Sequence, residues 1–449
     1  MSSENSSSEK LNWVEKQFRM KELGTNVKKE TLAGITTFVS MAYILFVNPS
    51  VLGASGMDKG AVFTATALSA ILGCLLMAFL ANYPIAIAPG LGDNAFFTYS
   101  VVLAMGIKWQ TALAGVVVAS IIFTILTFFK IREIVINAIP HNLKLAMAAG
   151  IGMFIAFIGL QGGGLVVASK SSLVQLGSLT VPTTWLTIFG LFVTALLMAR
   201  KVPGSIFIGI VATAILGLVT GLIKAPSQIV SSIPSMKPTF AVGIKHLGDV
   251  NTPQMWAVVL IFLLVAFFDT AGTLIGLAQQ AGLMKNDKMP RIGQALMADS
   301  VSMLAGSVMG TTPMAAYVES SAGIAVGGRT GFTALVVAVL FGFGMFFSPL
   351  LSVVTTQVTA PALIIVGALM AQSLKEIEWD KFEIALPAFL TVIAMPLTYN
   401  ISYGFAFAFL IYPITMIAAG RKKELNPVVI ALFFVFIVML YVLNVLPSK

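Results

Sequence analysis

Two stretches of this chain, AVFTATALSAILGCLLMAFLA (61–81) and TALAGVVVASIIFTILTFF (111–129), contain no charged residue. As helices rising about 1.5 Å per residue, each is long enough to cross a hydrocarbon core of about 30 Å. Such runs constrain the solvent as well as the fold. Inside a bilayer every backbone polar group must be bonded within the structure, which leaves helices and closed barrels. A barrel would show short strands alternating apolar and polar residues, and that pattern is absent. The remainder agrees: 449 residues are 58% hydrophobic and 10% charged, with a mean hydropathy of +0.95. A soluble domain of this size could not bury that much apolar side chain. The fold class is an all-α polytopic membrane protein.

Cys74 is the one cysteine, so no intrachain disulfide can form, and its apolar setting reads as a core thiol. His141 and His246 are the only histidines, too few for a His-rich metal site. The opening MSSENSSSEK has no apolar h-region before the first span, so it is expected to be a polar tail and not a cleaved signal.

Apolar segments are predicted near 31–52, 61–81, 84–104, 110–129, 141–160, 183–199, 204–223, 254–282, 292–310, 312–327, 331–354, 358–374, 384–399, 402–420 and 427–446. MPLTYNISYG (395–404) reads either as a loop or as a mid-membrane break. The expected count is 14 crossings, with 13 and 15 as the alternatives. Lys10, Lys16, Arg19, Lys21, Lys28 and Lys29 precede the first span, which predicts a cytoplasmic N-terminus. Alternation then puts Lys130, Arg132, Lys144, Arg200, Lys201, Lys285, Lys288, Arg291, Arg329, Lys375, Lys381, Arg421, Lys422 and Lys423 on that side too. These are 20 of the 27 basic residues, so the net charge of +9 is topological and argues against nucleic acid as a partner.

PIAIAPGLGDNAFFTY (84–99) interrupts the third apolar segment with prolines, glycines, an aspartate and an asparagine. An offset of about 224 residues carries Pro89 and Ala95 onto Pro313 and Glu319, in TTPMAAYVESSAG. Paired breaks at matching places in two halves are the sequence pointer to a transporter built from repeats. With seven spans per half, the repeats are expected to be inverted.

Four of the 18 acidic residues fall within apolar segments: Asp93, Asp269, Asp299 and Glu319. A carboxylate at membrane depth is costly by a few kcal/mol and by default marks a pathway or site. Asp269 has Thr273 at i+4 on the same helical face, and reads as a substrate-facing acceptor or as a structural acid held by nearby backbone. Glu319, between Tyr317 and Ser320, is expected to begin a half-helix near Tyr317 whose free N–H groups face the site. It is read as a ligand-binding and proton-exchanging acid, or as a cap on its own helix. Asn94 offers a donor and an acceptor to a ligand at the start of the FFTYS half-helix, with capping of that helix as the alternative. Asp299 is a proton-relay candidate or a structural hydrogen-bond partner.

No GxxxxGK[ST] loop is present, so transport would draw on an ion or substrate gradient. Titratable carboxylates favour protons, with sodium as the other candidate. GLGD (90–93), Phe268–Asp269 and the PAL tripeptide at 361–363 raise an intramembrane aspartyl protease as an alternative. Those enzymes place the partner aspartate before GxGD, whereas Asp269 follows it.

GITTFVSMAYILFVNP (34–49), APGLGDNAFFTY (88–99), FFDTAGTLIG (267–276) and ADSVSMLAGSVMGTTPMAAYVESSAGIAVGGRTG (298–331) resemble the AzgA-like purine permeases of the nucleobase–ascorbate transporter superfamily. The resemblance runs from about residue 18 to 445. It implies 14 spans in two inverted repeats of seven, with spans 3 and 10 broken and the purine bound between them. A tail (1–29) would precede core segments at 30–130 and 251–355 and gate segments at 131–250 and 356–449. It also implies proton symport of hypoxanthine, guanine or adenine through the plasma membrane, without a cofactor or enzymatic activity. Asp269 and Glu319 match the family's purine-binding acids and Asn94 its asparagine. The expected substrate-binding set is Asn94, Ala95, Phe96, Phe268, Asp269, Thr273, Tyr317, Glu319 and Ser320. Coupling is expected of Glu319 and Asp269, with Asp299 and Asp93 as further candidates. Asp93 departs from the family, which is usually apolar there. Carboxylates suit ring N–H donors, and Phe96, Phe268 or Tyr317 suit stacking on a heterocycle. The partners are the purine and the lipid bilayer, with a homodimer left open. The runner-up is an anion transporter of the same architecture, against which the site acids argue; a channel comes third.

Overall fold

The computed structural model describes residues 13–131, 138–284 and 289–445. Lys10, Arg132, Lys285 and Lys288, assigned above to the inner side, lie outside the described residues. So do the side chains of Phe268 and Asp269.

A short helix α1 (Trp13–Gln17) leads to α2 (Val27–Met41), α3 (Ile44–Ala54) and α4 (Lys59–Leu76). The extended segment β1 (Ile87–Pro89) is followed by the half-helix α5 (Leu91–Ala95), a wide π-type turn at Phe96–Ala104, and α6 (Trp109–Phe128). Then come α7 (His141–Gly162), a hairpin of β2 (Val166–Ser169) and β3 (Leu173–Leu176), α8 (Pro182–Ala199) and α9 (Ser205–Val219). The second half holds α10 (Pro253–Gln280), α11 (Ile292–Met309), β4 (Met314–Ala316), the half-helix α12 (Ser320–Ala325) and α13 (Gly331–Gly344). It closes with α14 (Thr356–Met370), α15 (Phe382–Leu397), α16 (Ile401–Ala418) and α17 (Pro427–Asn444). Among the described residues, eight helices are long and apolar enough to cross a membrane.

Local chemistry sets the breaks. The first span is one apolar run, Val27–Ala54, but Pro49 has no N–H to offer the Leu45 carbonyl. The ladder tightens just before it, with Leu45 N bonded to Ala42 O at 3.2 Å and Phe46 N to Tyr43 O at 3.0 Å. Tyr43 therefore sits at a joint rather than within a continuous helix as the periodicity implied. Gly310 ends α11 at φ 98°, where L side chains rarely go, and a Cβ there would lie 2.3 Å from Thr239 Cβ. Within MPLTYNISYG only residues 398–400 leave the helix, as a tight turn: α15 ends at Leu397, Tyr399 takes φ 55°, and Asn400 caps α16 by accepting from Ser402 N at 2.9 Å. The hairpin at 166–176 was not foreseen.

β1 and β4 pair antiparallel, with Ile87 opposite Ala316, Ala88 opposite Ala315 and Pro89 opposite Met314. All six residues are buried. Backbone at that depth has to find partners, and it does. Gly90 N donates to Pro313 O at 2.9 Å and Tyr317 N to Ala86 O at 3.0 Å. The Cys74 thiol meets the free edge of β1, accepting from Ile87 N at 3.4 Å and donating to Ile87 O at 3.5 Å. Helices α3, α4, α10 and α11 pack on this ladder, with α2, α6 and α13 packed against them in turn, while α7, α8, α9, α14, α15 and α16 pack on one another. In the second group α7 and α14 meet at Gly152 and Gly367, small enough to let the backbones close.

Candidate functional site

The two half-helices leave the ladder close together, and their first residues carry most of the expected site. α5 begins at Leu91 with Gly90 as its N-cap. The sequence had suggested a restart at Asn94, but Asn94 N already donates to Gly90 O at 3.0 Å. The N–H groups without an acceptor inside this helix are those of Leu91, Gly92 and Asp93, in its first turn. Asp93, fully buried, thus stands in the positive end of the α5 dipole, where a carboxylate is favoured. Asn94 does not cap the helix either; its Oδ1 accepts from the Thr312 hydroxyl. Its Nδ2, also buried, has no partner among the described residues.

The second break differs from expectation in the same way. α12 starts at Ser320, not near Tyr317. Ser320 N, Ser321 N and Ala322 N donate to Tyr317 O, Val318 O and Glu319 O at 3.0, 2.9 and 3.0 Å. Three-residue turns of this kind use up the N–H groups that a bare helix end would present. Glu319 occupies the N-cap position without making a side-chain cap bond, which removes the capping reading. Its Oε1 instead accepts from the Tyr43 hydroxyl at 2.5 Å, across from the joint in the first span. Val318 is 61% exposed and Glu319 partly exposed, so the turn opens onto free space.

That space is a cavity of about 790 Å³. Its walls include Thr273 of α10, Val318, and Met370, Ser373, Lys375 and Glu376 at the end of α14 and just beyond. Of the other expected residues, Tyr317 is buried and donates its hydroxyl to Pro89 O at 2.6 Å, locking one break onto the other. Ser320 is fully buried and its hydroxyl accepts from Ala86 N at 3.0 Å. Ala95 is buried, and Phe96 packs edge-on against Phe262 with ring centroids 4.9 Å apart. Asp299 is fully buried in α11 and accepts from the Thr270 hydroxyl at 3.2 Å, one residue past Asp269 on α10.

Sequence reasoning missed Tyr43, Thr312 and Asn48. The signal for the first span was available, since Asn48–Pro49 inside an apolar run repeats the polar-plus-proline cue of 84–99. Tyr43 carries no such cue; only the fold brings it to Glu319. Among the described residues no group of three His, Cys, Asp or Glu could hold a metal.

Over residues 28–407 the chain matches the family described as Permease family. The guanine/hypoxanthine permease PbuG of Bacillus subtilis (strain 168) is 54% identical over 429 residues, covering 94% of this chain and 98% of that one. The adenine permease AdeQ of Escherichia coli (strain K12) is 42% identical over 422 residues, covering 93% and 94%. Among solved structures, the transmembrane domain of the cyanobacterium bicarbonate transporter BicA superposes with a TM-score of 0.61 at 16% identity. That match covers 88% of this chain and 97% of the other and speaks for the fold alone.

Proposed function

The chain belongs to this permease family, and from that membership we propose that it carries purine nucleobases (hypoxanthine, guanine or adenine) across the plasma membrane. The mode is secondary active uptake by proton symport with alternating access. What carries the reading is the 54% identity to a guanine/hypoxanthine permease along almost the whole of both chains. The chemistry of the site supports it. A purine offers ring N–H donors, ring-nitrogen acceptors and two flat faces, without fixed charge. Glu319 supplies a carboxylate beside a cavity of about 790 Å³, within the range usual for small-molecule sites. Asn94 supplies a buried amide donor whose hydrogens are not engaged among the described residues. Asp269 is the second acid of this reading.

The architecture proposed is 14 spans in two inverted repeats, a core of spans 1–4 and 8–11 moving against a gate of spans 5–7 and 12–14. The ladder supports the repeat. A shift of 224 residues takes Pro89 to Pro313 and Gly90 to Met314, so the pair Pro89–Met314 maps onto Pro313–Gly90, where the 2.9 Å bond lies. Two antiparallel copies of one unit make a two-fold centre of this sort. The separate packing of the two helix groups supports the core and gate division. With the N-terminus cytoplasmic in this reading, Lys375 and Glu376 in the cavity wall support a cytoplasmic opening and an inward-open form.

The likeness to a bicarbonate transporter is one of fold, and a carboxylate at the cavity is poorly suited to an anionic substrate. Uptake of labelled hypoxanthine, competed by unlabelled adenine, guanine, xanthine and uracil at two pH values, tests the proposal. Saturable uptake, inhibited by purines and greater at the lower pH, is the expected result. Indifference to every purine would remove it.

A further inference from the structure

We infer that Asn48 is a positioning residue for the site, holding the second broken segment to the first span at the end opposite Glu319. The inference rests on the purine-permease reading for its meaning, though not for its geometry.

Asn48 lies in α3 just before Pro49 and is fully buried. Its Nδ2 donates to Thr66 Oγ1 of α4 at 2.6 Å and to Thr311 Oγ1 at 2.9 Å. The orientation of the amide follows from the network. Thr66 spends its single hydroxyl hydrogen on Val62 O at 2.6 Å, so it can only accept from Asn48, and nitrogen must face it. Both amide hydrogens are then committed. The next residue, Thr312, donates to Asn94 Oδ1, so two adjacent threonines are held by two carboxamides, one from the first span and one from the first break. Pro313, immediately after, accepts from Gly90 N and starts the chain into β4.

The first span thus grips residues 311–319 at both ends: Asn48 on Thr311 at the entry and Tyr43 on Glu319 at the exit. Two points of attachment define the direction of the segment between them, where one would leave it free to swing. Asn48 does not touch the cavity, and among the described residues its effect on Glu319 and Asn94 runs through Thr311–Thr312.

The test measures hydrogen–deuterium exchange and purine uptake together, on purified full-length protein in nanodiscs and in vesicles. Asn48→Ala should speed exchange at residues 311–319 and leave α16 unchanged. It should also raise KM about tenfold, the size that one misplaced hydrogen bond carries. Thr311→Val should do the same, Thr311→Ser should behave as wild type, and the Asn48→Ala/Thr311→Val pair should add nothing to either alone. Unchanged exchange at 311–319, an unchanged KM, or additive effects would overturn the inference. If Asn48→Ala does not fold, the contrast between Thr311→Val and Thr311→Ser decides on its own. Exchange that responds as stated in a wild type that moves no purine would instead sink the function and leave the placement standing.

Discussion

Glu30, in the first turn of α2, is fully buried and accepts from Arg329 N at 2.8 Å, Thr330 N at 3.3 Å and the Thr333 hydroxyl at 2.6 Å. These donors lie at the entry to α13, so a side chain of the first span satisfies the start of another helix. Glu319 has the opposite character: it is partly exposed, next to Val318 of the cavity wall, with the Tyr43 hydroxyl and its own backbone N–H as donors. A carboxylate saturated by backbone donors is structural, because removing it strands those donors. One left with spare acceptor capacity at a cavity can exchange partners. Glu30→Ala should therefore lower stability by about 3 kcal/mol, seen as a fall in the thermal unfolding midpoint in detergent. Glu319→Gln should keep that midpoint and abolish accumulative uptake. Normal accumulation in Glu319→Gln would refute its coupling role.

At the scale of elements, the breaks hold their shape through turn geometry as much as through sequence polarity. Gly310 is the sharpest case, since positive φ and the nearby Thr239 both forbid a side chain. Gly310→Ala should cost about 1–3 kcal/mol and disturb the ladder it leads into, lowering both the unfolding midpoint and transport. The existence of both breaks was legible, because prolines, glycines and polar residues seldom cluster inside an apolar run unless the helix stops there. Where each half-helix starts was not. Asn94 looked like a start because it is a good capping residue, yet Gly90 accepts the first intrahelical bond. Tyr317 looked like a start because it follows the proline, yet a tight turn delays the helix to Ser320. The joint at Tyr43 stems from Pro49 six residues later, and a reading of hydropathy alone passes over it. Of the site, Glu319 and Asn94 could be named from sequence. Their partners Tyr43 and Thr312 are 276 and 218 residues away, and contacts that distant become visible only in the fold.

For the whole molecule, the ion pairs among the described residues lie at the rims. Arg421 bonds Glu424 at 2.6 Å and Lys381 bonds Glu378 at 2.9 Å, in the loops flanking α15 and α16. These hydrogen bonds hold both carboxyls below the usual carboxylate range. A depressed folded pKa contributes stability that is present above the unfolded value, near pH 4, and lost only as pH falls through the folded one. The rim pairs thus stay ionised throughout the range in which coupling would be measured. Uptake should therefore rise as external pH falls from about 7.5 to about 5.5, with no fall in the unfolding midpoint over that interval. A midpoint that fell as pH was lowered through that interval would show that the rim pairs are being lost there, against their depressed pKa.

The ladder also has a meaning in time. Residues 87–89 find their strand partners at 314–316, so the first break leaves the ribosome more than two hundred residues ahead of the chain it pairs with. At about 5–20 residues per second, that is a wait of roughly 10 to 45 seconds. Throughout that interval the backbone edge later covered by β4 must be sheltered by something else, whether water in the insertion channel or a helper protein. A contact at the centre of the finished transporter therefore waits on chain made long after its first strand.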